Sequence, residues 1–450
     1  MKNIKMINII LIINSYMDYF KMGVITMDLN KLGMLTQMTF DRRVFKNLVK
    51  TYRILREDKK FNIMKYSKML MNMVKGEKIV KFEDKYILST FMPPFPSKAF
   101  YTNISAVEEP MNIFSQQIYA KRCAPISMYV SLTHKCPNNC LYCSAKNKNT
   151  EVDLSTTQWI KVINELQDMN TSIIGLTGGE PMVREDIFEI VKAIDKRSTA
   201  ILFTSGYNLT LEKAKALKKS GLFSIGISLD SYDKEIHNKN RKDNDAFNWA
   251  LKALRNAHEA GLYTMAQTVI LKENLNEADL FRLFELAKEN GAHEVKILEP
   301  ILSGNLLNET NLQSILYDTQ SRNKLIKIQH KANKIKEFPK ISTFAYTESE
   351  AKFGCGAGNQ HSYISASGEL YPCDFIPMSF GNVRDTSVRE LWKNMNFAIG
   401  IPKIGCFAQK VNRKVYEESE AGLPLDKTRS EAICSKNKSK KFPQYYRSLQ

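Results

Sequence analysis

From residue 125 onward the chain alternates between short apolar runs and amphipathic stretches, and that alternation limits its folds more than any other feature. The runs are PISMYVSLT (125–133), SIIGLT (172–177), TAILFT (199–204), SIGISLD (224–230), YTMAQTVIL (263–271) and EVKIL (294–298). Between them, apolar residues recur at three- and four-residue spacing. Trp159, Ile160, Ile163 and Leu166 follow an N-cap at Ser155; then come Ile187, Ile190, Val191 and Ile194; Leu211, Ala214 and Leu217; Phe247, Ala250, Leu251 and Leu254; and Leu280, Leu283, Phe284 and Ala287. The runs read as strands and the spaced stretches as helices. Gly221, Gly261 and Gly291 stop three of the helices, since glycine accepts the left-handed backbone of a helix end. Six strands with five intervening helices, plus a sixth helix expected around 321–336, imply a parallel sheet covered by helices. Strands this apolar are buried on both faces, and the sheet is expected to curve into a partial barrel, an α/β fold. In such folds chemistry sits on the loops at the carboxyl ends of the strands.

The loop after the first strand, THKCPNNCLYCSAK (133–146), carries Cys136, Cys140 and Cys143 in C-x3-C-x2-C spacing. Eight cysteines in 450 residues are too sparse for a disulfide scaffold, and such a cluster points to metal. Thiolates suit zinc and iron–sulfur centres. A structural zinc would want a fourth ligand, and His134 is the nearest candidate, in a cramped position two residues before Cys136. A [4Fe–4S] cube on three cysteines leaves one iron open to a small molecule. Three ligands are thus a defect in a structural site and an asset in a catalytic one.

With Tyr142 as the aromatic in C-x3-C-x-aromatic-C, this loop resembles the signature of the radical S-adenosylmethionine (SAM) superfamily, whose fold is a partial (β/α)6 barrel. The resemblance implies a [4Fe–4S] cluster on Cys136, Cys140 and Cys143 whose open iron chelates SAM, and reductive cleavage of SAM to a 5′-deoxyadenosyl radical that abstracts hydrogen. Three further segments fit it. TGGEP (177–181) matches the turn that meets the SAM amino group, through Gly178, Gly179, Glu180 and Pro181. Ser205, Ser228 and Asp230 end the third and fourth strands, where relatives face the ribose and carboxylate, and Arg241 would pair with the carboxylate. TVILKENLNE (268–277) matches the segment that flanks adenine. Each polar strand end also suits an ordinary turn.

Downstream, CGAGNQHSYISASGELYPC (355–373) resembles the opening of SPASM and twitch domains, which bind auxiliary [4Fe–4S] clusters. Gly368 would turn a hairpin bringing Cys355 and Cys373 together. Four buried thiols are the plain alternative. The dense C-x2-C-x5-C-x3-C segment of a full SPASM domain is missing, so the cysteines support one auxiliary cluster, completed by Cys406 and Cys434. If Cys434 is not a ligand, His361, water or substrate could stand in, and Cys123 is left as a buried thiol. The expected organisation is a helical N-terminal region with a proline-rich arm (1–120), a radical SAM core (121–345) and a small SPASM/twitch-like domain with a basic tail (346–450). Phe45, Leu48, Val49, Tyr52 and Leu55 predict helix within 40–80, which FMPPFPSKAF (91–100) interrupts.

Net charge is +18, which suits a solvated basic surface or an acidic partner such as a flavodoxin or ferredoxin electron donor. No basic block is interleaved with aromatics, so no nucleic acid is expected. INIILII (7–13) is too short to span a bilayer and no small-residue cleavage site follows it; Met27 could be an alternative start. The expectation is a cytoplasmic enzyme with room for peripheral membrane contact. Its substrate is expected to be a peptide or protein, with a lipid or cofactor precursor as the alternative. A reading of another class is a non-catalytic zinc or iron–sulfur protein that binds nucleic acid.

Overall fold

The computed structural model describes residues 29–57, 62–89, 91–106, 122–146, 152–419, 422–448 and 450; the run at 7–13 and Met27 lie outside them. A small antiparallel hairpin, β1 (Val80–Phe82) and β2 (Lys85–Ile87), precedes the main sheet. The six runs read from the sequence are the centre of that sheet: β3 (Ser127–Ser131), β4 (Ile173–Thr177), β5 (Thr199–Thr204), β6 (Ser224–Ser228), β7 (Tyr263–Val269) and β8 (Glu294–Leu298). Each pairs in parallel with the next.

Three strands that sequence periodicity does not reveal extend it. β9 (Lys340–Thr343) joins β8 in parallel. β10 (His361–Ile364) joins the other side of β3, also in parallel, and β11 (Leu370–Tyr371) folds back on β10. The order is β11-β10-β3-β4-β5-β6-β7-β8-β9. Thus the cysteine-rich C-terminal segment shares a sheet with the barrel. Gly368 takes φ +99 in the β10–β11 turn, as the hairpin expectation required.

The expected helices cover the outside: α5 (Thr156–Asp168), α6 (Ile187–Lys192), α7 (Leu211–Lys219), α9 (Ala246–Glu259), α10 (Glu277–Glu289) and α11 (Thr319–Ala332). Ser155 caps α5 in a reciprocal pair with Gln158, which satisfies two amides that the helix itself cannot. Among the helices not foreseen is α8 (Lys234–Arg241), directly after β6. Trp159, Ile163, Leu176, Leu202, Ile225 and Phe284 belong to one core between sheet and helices.

Inside the barrel the rule is ring against glycine. A Cβ on Gly175 would lie 2.4 Å from the Tyr129 ring, and one on Gly226 2.7 Å from Phe203. The missing side chains leave room for both rings in the lumen. Phe82 of β1 meets Phe223, Tyr263 and His293 edge-on at 5.9, 5.3 and 4.9 Å. These residues sit at the amino ends of the strands, so that end is closed and the carboxyl end is left for the site.

The N-terminal region forms α1 (Leu29–Phe40), α2 (Arg42–Leu55), α3 (Ile63–Val74) and α4 (Lys98–Ser105). Met38, Val44, Leu55, Met69 and Phe100 share a second core with Tyr445 and Tyr446 from the other end of the chain. The proline arm runs as an extended edge, with Tyr86 and Phe95 exchanging both backbone hydrogen bonds at 2.6 and 2.9 Å. Buried Lys352 locks the region in place. Its Nζ donates to the carbonyls of Asn72, Met73 and Lys75 at 2.8, 3.0 and 2.8 Å, the end of α3 where helix carbonyls lack internal partners. Lys352→Met should remove this donor from the Asn72 and Met73 carbonyls, while Lys75 O keeps the Tyr346 hydroxyl at 2.7 Å, and destabilise the fold by about 2–4 kcal/mol. An unchanged denaturation midpoint would show that the contact carries no stability.

Candidate active site at the carboxyl ends of the strands

The cysteine loop leaves β3 and is held by backbone contacts from three directions. Gly179 N–H donates to Thr133 O at 2.7 Å and Glu180 N–H to Lys135 O at 2.8 Å, which laces the GGEP turn to the loop. A Cβ on Gly179 would sit 2.2 Å from Lys135 O, and Gly178 has φ +148; only glycine allows this approach. Leu141 N–H reaches Asn240 O at 2.9 Å. From the 3-10 turn Gly304–Asn308 that follows β8, Asn305 donates to Cys143 O at 3.1 Å and to Cys140 O at 2.7 Å, while Gly304 passes so close that a Cβ would fall 2.0 Å from Cys143 O. Sequence reasoning missed Gly304 and Asn305; the Ser-Gly-Asn turn at a strand's carboxyl end was the available signal.

A buried polar unit stands behind Cys140. Arg241 donates from Nε to Asp230 Oδ2 at 2.7 Å and from Nη2 to Oδ1 at 2.9 Å, and its Nη1 lies 3.8 Å from Cys140 Sγ. The Tyr142 hydroxyl and Val269 N–H also donate to Asp230. Burial alone would raise the Asp230 carboxyl; Arg241, His237 and Tyr142 hold it below the ordinary value. Asp230 thus receives four donors, about a carboxylate's capacity, and Arg241 spans Asp230 and the Cys140 sulfur, which ties the end of β6 and α8 to the cysteine loop.

Glu180 is held in the same way. Its carboxylate accepts from Thr204 Oγ1 at 2.7 Å, Ser205 N at 2.7 Å, Ser205 Oγ at 2.6 Å and Met182 N at 3.0 Å. Burial outweighs these donors and raises its pKa. Glu180 and Ser205 therefore tie the β4 and β5 loops together. Pro181 opens the short 3-10 turn that follows. Ser228 ends β6 half-buried, and its hydroxyl bonds no described residue. His134, the zinc alternative, is exposed and paired to Asp153 at 2.7 Å.

The donor chemistry fits a cubane better than an ion. Among the described residues no three His, Cys, Asp or Glu side chains are grouped to hold a single metal ion; tetrahedral zinc at about 2.3 Å per sulfur would need thiols roughly 3.8 Å apart. Burial pushes the Cys136 thiol up to about 12, and it raises Cys140 despite Arg241. Such thiols become thiolates by binding a metal. Asn138, inside the loop and 4% exposed, has both side-chain polar atoms buried without a partner. A buried amide left so is costly, and a sulfur cage bound in the loop would give it one.

The second cysteine set is gathered across the cavity. Cys355 exchanges backbone hydrogen bonds with Lys403 at 2.7 and 3.1 Å, and its thiol is hydrogen-bonded with that of Cys406. That bond, aided by the N–H groups of Phe407 and Ala357, lowers Cys355, while Cys406 is pushed up. Cys355, Cys373 and Cys406 line one cavity. Cys434 is not on its wall. It sits fully buried in the helix Lys427–Lys436, with Lys403, Glu431 and Lys438 as its charged neighbours. His361 is on the wall, with Nδ1 2.9 Å from Ser127 Oγ and Nε2 3.7 Å from Asp374. Cys123 packs partly buried against the main core.

Residues 130–286 match the model of the radical SAM superfamily, and residues 355–418 that of the SPASM iron–sulfur cluster-binding domain. An AdoMet-dependent heme synthase from Methanosarcina barkeri is 30% identical over 291 residues, covering 60% of this chain and 83% of the relative. The chain belongs to the radical SAM superfamily. It is a radical SAM enzyme that uses a [4Fe–4S] cluster and SAM, and its SPASM domain implies auxiliary iron–sulfur binding. A PqqA peptide cyclase from Granulibacter bethesdensis is 26% identical over 277 residues, 60% of this chain and 74% of the relative. In fold, this radical SAM enzyme is similar to Streptococcus suis SuiB bound to precursor peptide SuiA (TM-score 0.52, 15% identity, 62% and 67% of the two chains). It is also similar to anSMEcpe with bound AdoMet (TM-score 0.51, 18% identity, 72% and 95%). Among the described residues no helix is long and apolar enough to cross a membrane.

Proposed function

We propose that this radical SAM enzyme abstracts a hydrogen atom from a substrate with a long apolar body. The observation that carries the reading is a cavity of about 320 Å³. At one end it is lined by Ser144, Ala145 and Gly178 beside the cysteine loop, and at another by Cys355, Cys373 and Cys406. From there it runs between the N-terminal helices, along Met38, Leu48, Leu55, Met69, Met71 and Phe100. Apolar side chains dominate these walls, with few polar groups such as Thr51, Tyr66 and Asn103 to pair with a peptide backbone, and an unpaired buried amide is costly. Flexible methionines suit a hydrocarbon chain.

Lys296 supplies a cation deep in the same cavity. It is 2% exposed, its Nζ lies 3.3 Å from the Tyr129 hydroxyl and within 5.1–5.3 Å of the ring centroids of Phe91, Phe203 and Phe344. That site would hold an anionic or carbonyl group of the substrate. Outside, Arg42, Lys46, Lys50 and Arg53 on α2, with Phe40 and Met64 exposed at 75% and 68%, suit peripheral contact with an anionic bilayer.

In this reading Cys136, Cys140 and Cys143 hold the SAM cluster, and Gly178, Gly179, Ser205 and Ser228 line the SAM position. Cys355, Cys373 and Cys406 hold the auxiliary cluster. The described part of the N-terminal region lines the substrate cavity, 121–345 is the radical core and 346–450 the auxiliary domain. When bound, the cluster and SAM would supply one-electron radical chemistry, with an acidic flavodoxin or ferredoxin as the electron donor, that takes a hydrogen atom from the substrate. The enclosed apolar walls keep water from the radical.

A peptide substrate is the second reading, favoured by the PqqA peptide cyclase relative. The two are separated by isotope transfer. Reconstituted enzyme with SAM and dithionite is given either total lipid or total peptide from expressing cells grown in heavy water. Deuterium in 5′-deoxyadenosine is expected from the lipid fraction, and Met69→Trp should block it while uncoupled SAM cleavage persists. Deuterium from the peptide fraction alone would replace this reading with the second.

A further inference from the structure

The auxiliary site described above has three thiols on one wall, and a four-iron cube fully held by protein needs four donors. Cys434 does not reach that wall. Glu348 does. It directly follows the short helix Phe344–Thr347 at the end of β9, and its backbone carbonyl accepts from Gly405 N at 3.3 Å, next to Cys406. Its side chain is hydrogen-bonded with the Cys406 thiol, Cys406 is bonded to Cys355, and the Glu348 carboxyl lies close enough to Cys373 to act on its charge. We propose that Glu348 is the fourth protein ligand of the auxiliary cluster, beside Cys355, Cys373 and Cys406, and that Cys434 is a buried structural thiol.

The surroundings support the choice of a carboxylate. Cys406 is the N-cap of the helix Phe407–Glu417, and the Phe407 N–H is directed at Cys355, so helix amides face the donor set. Arg322 lies behind it, bonded to Glu299 at 2.7 Å and near enough to Glu348 and Cys406 to offset their charge. An oxygen donor is harder than a thiolate and binds iron less tightly than sulfur does. The iron on Glu348 would be the one that exchanges its ligand most readily, and it would face the substrate cavity.

The inference rests on the assignment of Cys355, Cys373 and Cys406 to the auxiliary cluster, and the experiment separates the two. The full chain carrying Cys136→Ala, Cys140→Ala and Cys143→Ala is reconstituted without oxygen, so that only auxiliary iron is counted. About four irons per chain are expected. Adding Glu348→Gln should lower this to about three and give the electron paramagnetic resonance signal of an oxidised three-iron cluster. Glu348→Cys should restore four, and Cys434→Ser should leave four unchanged. Four irons and an unaltered spectrum in Glu348→Gln would overturn the proposal, as would loss of iron in Cys434→Ser. If Glu348→Gln melts early, Glu348→Cys decides: a rebuilt four-iron cluster supports the ligand position and its absence rejects it. Four irons retained in Cys373→Ser would instead reject the thiol assignment itself.

Discussion

Cys140→Ala is expected to abolish 5′-deoxyadenosine formation and to remove about four irons per chain, while the auxiliary iron stays. The cysteine loop is short, and its clamps act on backbone: Asn305 on the Cys140 and Cys143 carbonyls, and Asn240 on Leu141. Alanine keeps all of them, so the loop stays in place and only the sulfur is lost. Two thiols cannot hold a cube that already has one iron without a protein ligand. Arg241 Nη1, 3.8 Å from the Cys140 sulfur, would then lose its one thiolate contact while keeping Asp230. The fold should therefore melt within about 1 kcal/mol of wild type, and the loss should be chemical. Iron and sulfide counts, with 5′-deoxyadenosine measured by chromatography, check both halves. Cleavage retained in Cys140→Ala would remove this loop from the reaction.

The barrel was legible because it is written in periodicity. Runs such as TAILFT are buried at every position in β5, and a buried parallel strand has that signature. β9, β10 and β11 were not legible. They are two to four residues long and carry polar residues such as Lys340, Ser342 and His361, whose burial is arranged by distant partners: Lys340 bonds Glu77 at 2.7 Å. The cysteines were legible as a motif, since spacing alone places three sulfurs on one loop. The polar strand ends were legible as positions and not as contacts. A sequence shows that Glu180, Asp230 and Arg241 lie near the site, but not that Ser205, Tyr142 and Val269 consume their hydrogen-bonding capacity first. Glu348 carried no local signal at all, because it meets Cys406 only through the folding of β9 against β8.

Asp230→Ala should be the most destabilising substitution in the barrel. It strips a buried guanidinium of the one carboxylate it pairs with among the described residues and takes the acceptor from the Tyr142 hydroxyl and the Val269 N–H. Breaking one side of a buried pair costs about 3–5 kcal/mol. The Asp230 side chain is fully buried and Arg241's is 10% exposed, so solvent relieves little of this. The loss should also appear at the cysteine loop, because Tyr142 lies between Cys140 and Cys143 and is anchored by Asp230; iron retention should fall with stability. A double variant, Asp230→Leu with Arg241→Met, removes both charges and should recover much of the stability, well short of the sum of the single effects. The pH dependence has a defined sign. Asp230 is held below its ordinary value, so its contribution is complete above about pH 4 and is lost as pH falls through the lowered value. Denaturation midpoints at pH 7 and near pH 3 should therefore differ less for Asp230→Ala than for wild type. Equal pH sensitivity in both proteins, or a midpoint change worth under about 1 kcal/mol, would mean that the pair stands in solvent and does not organise the loop.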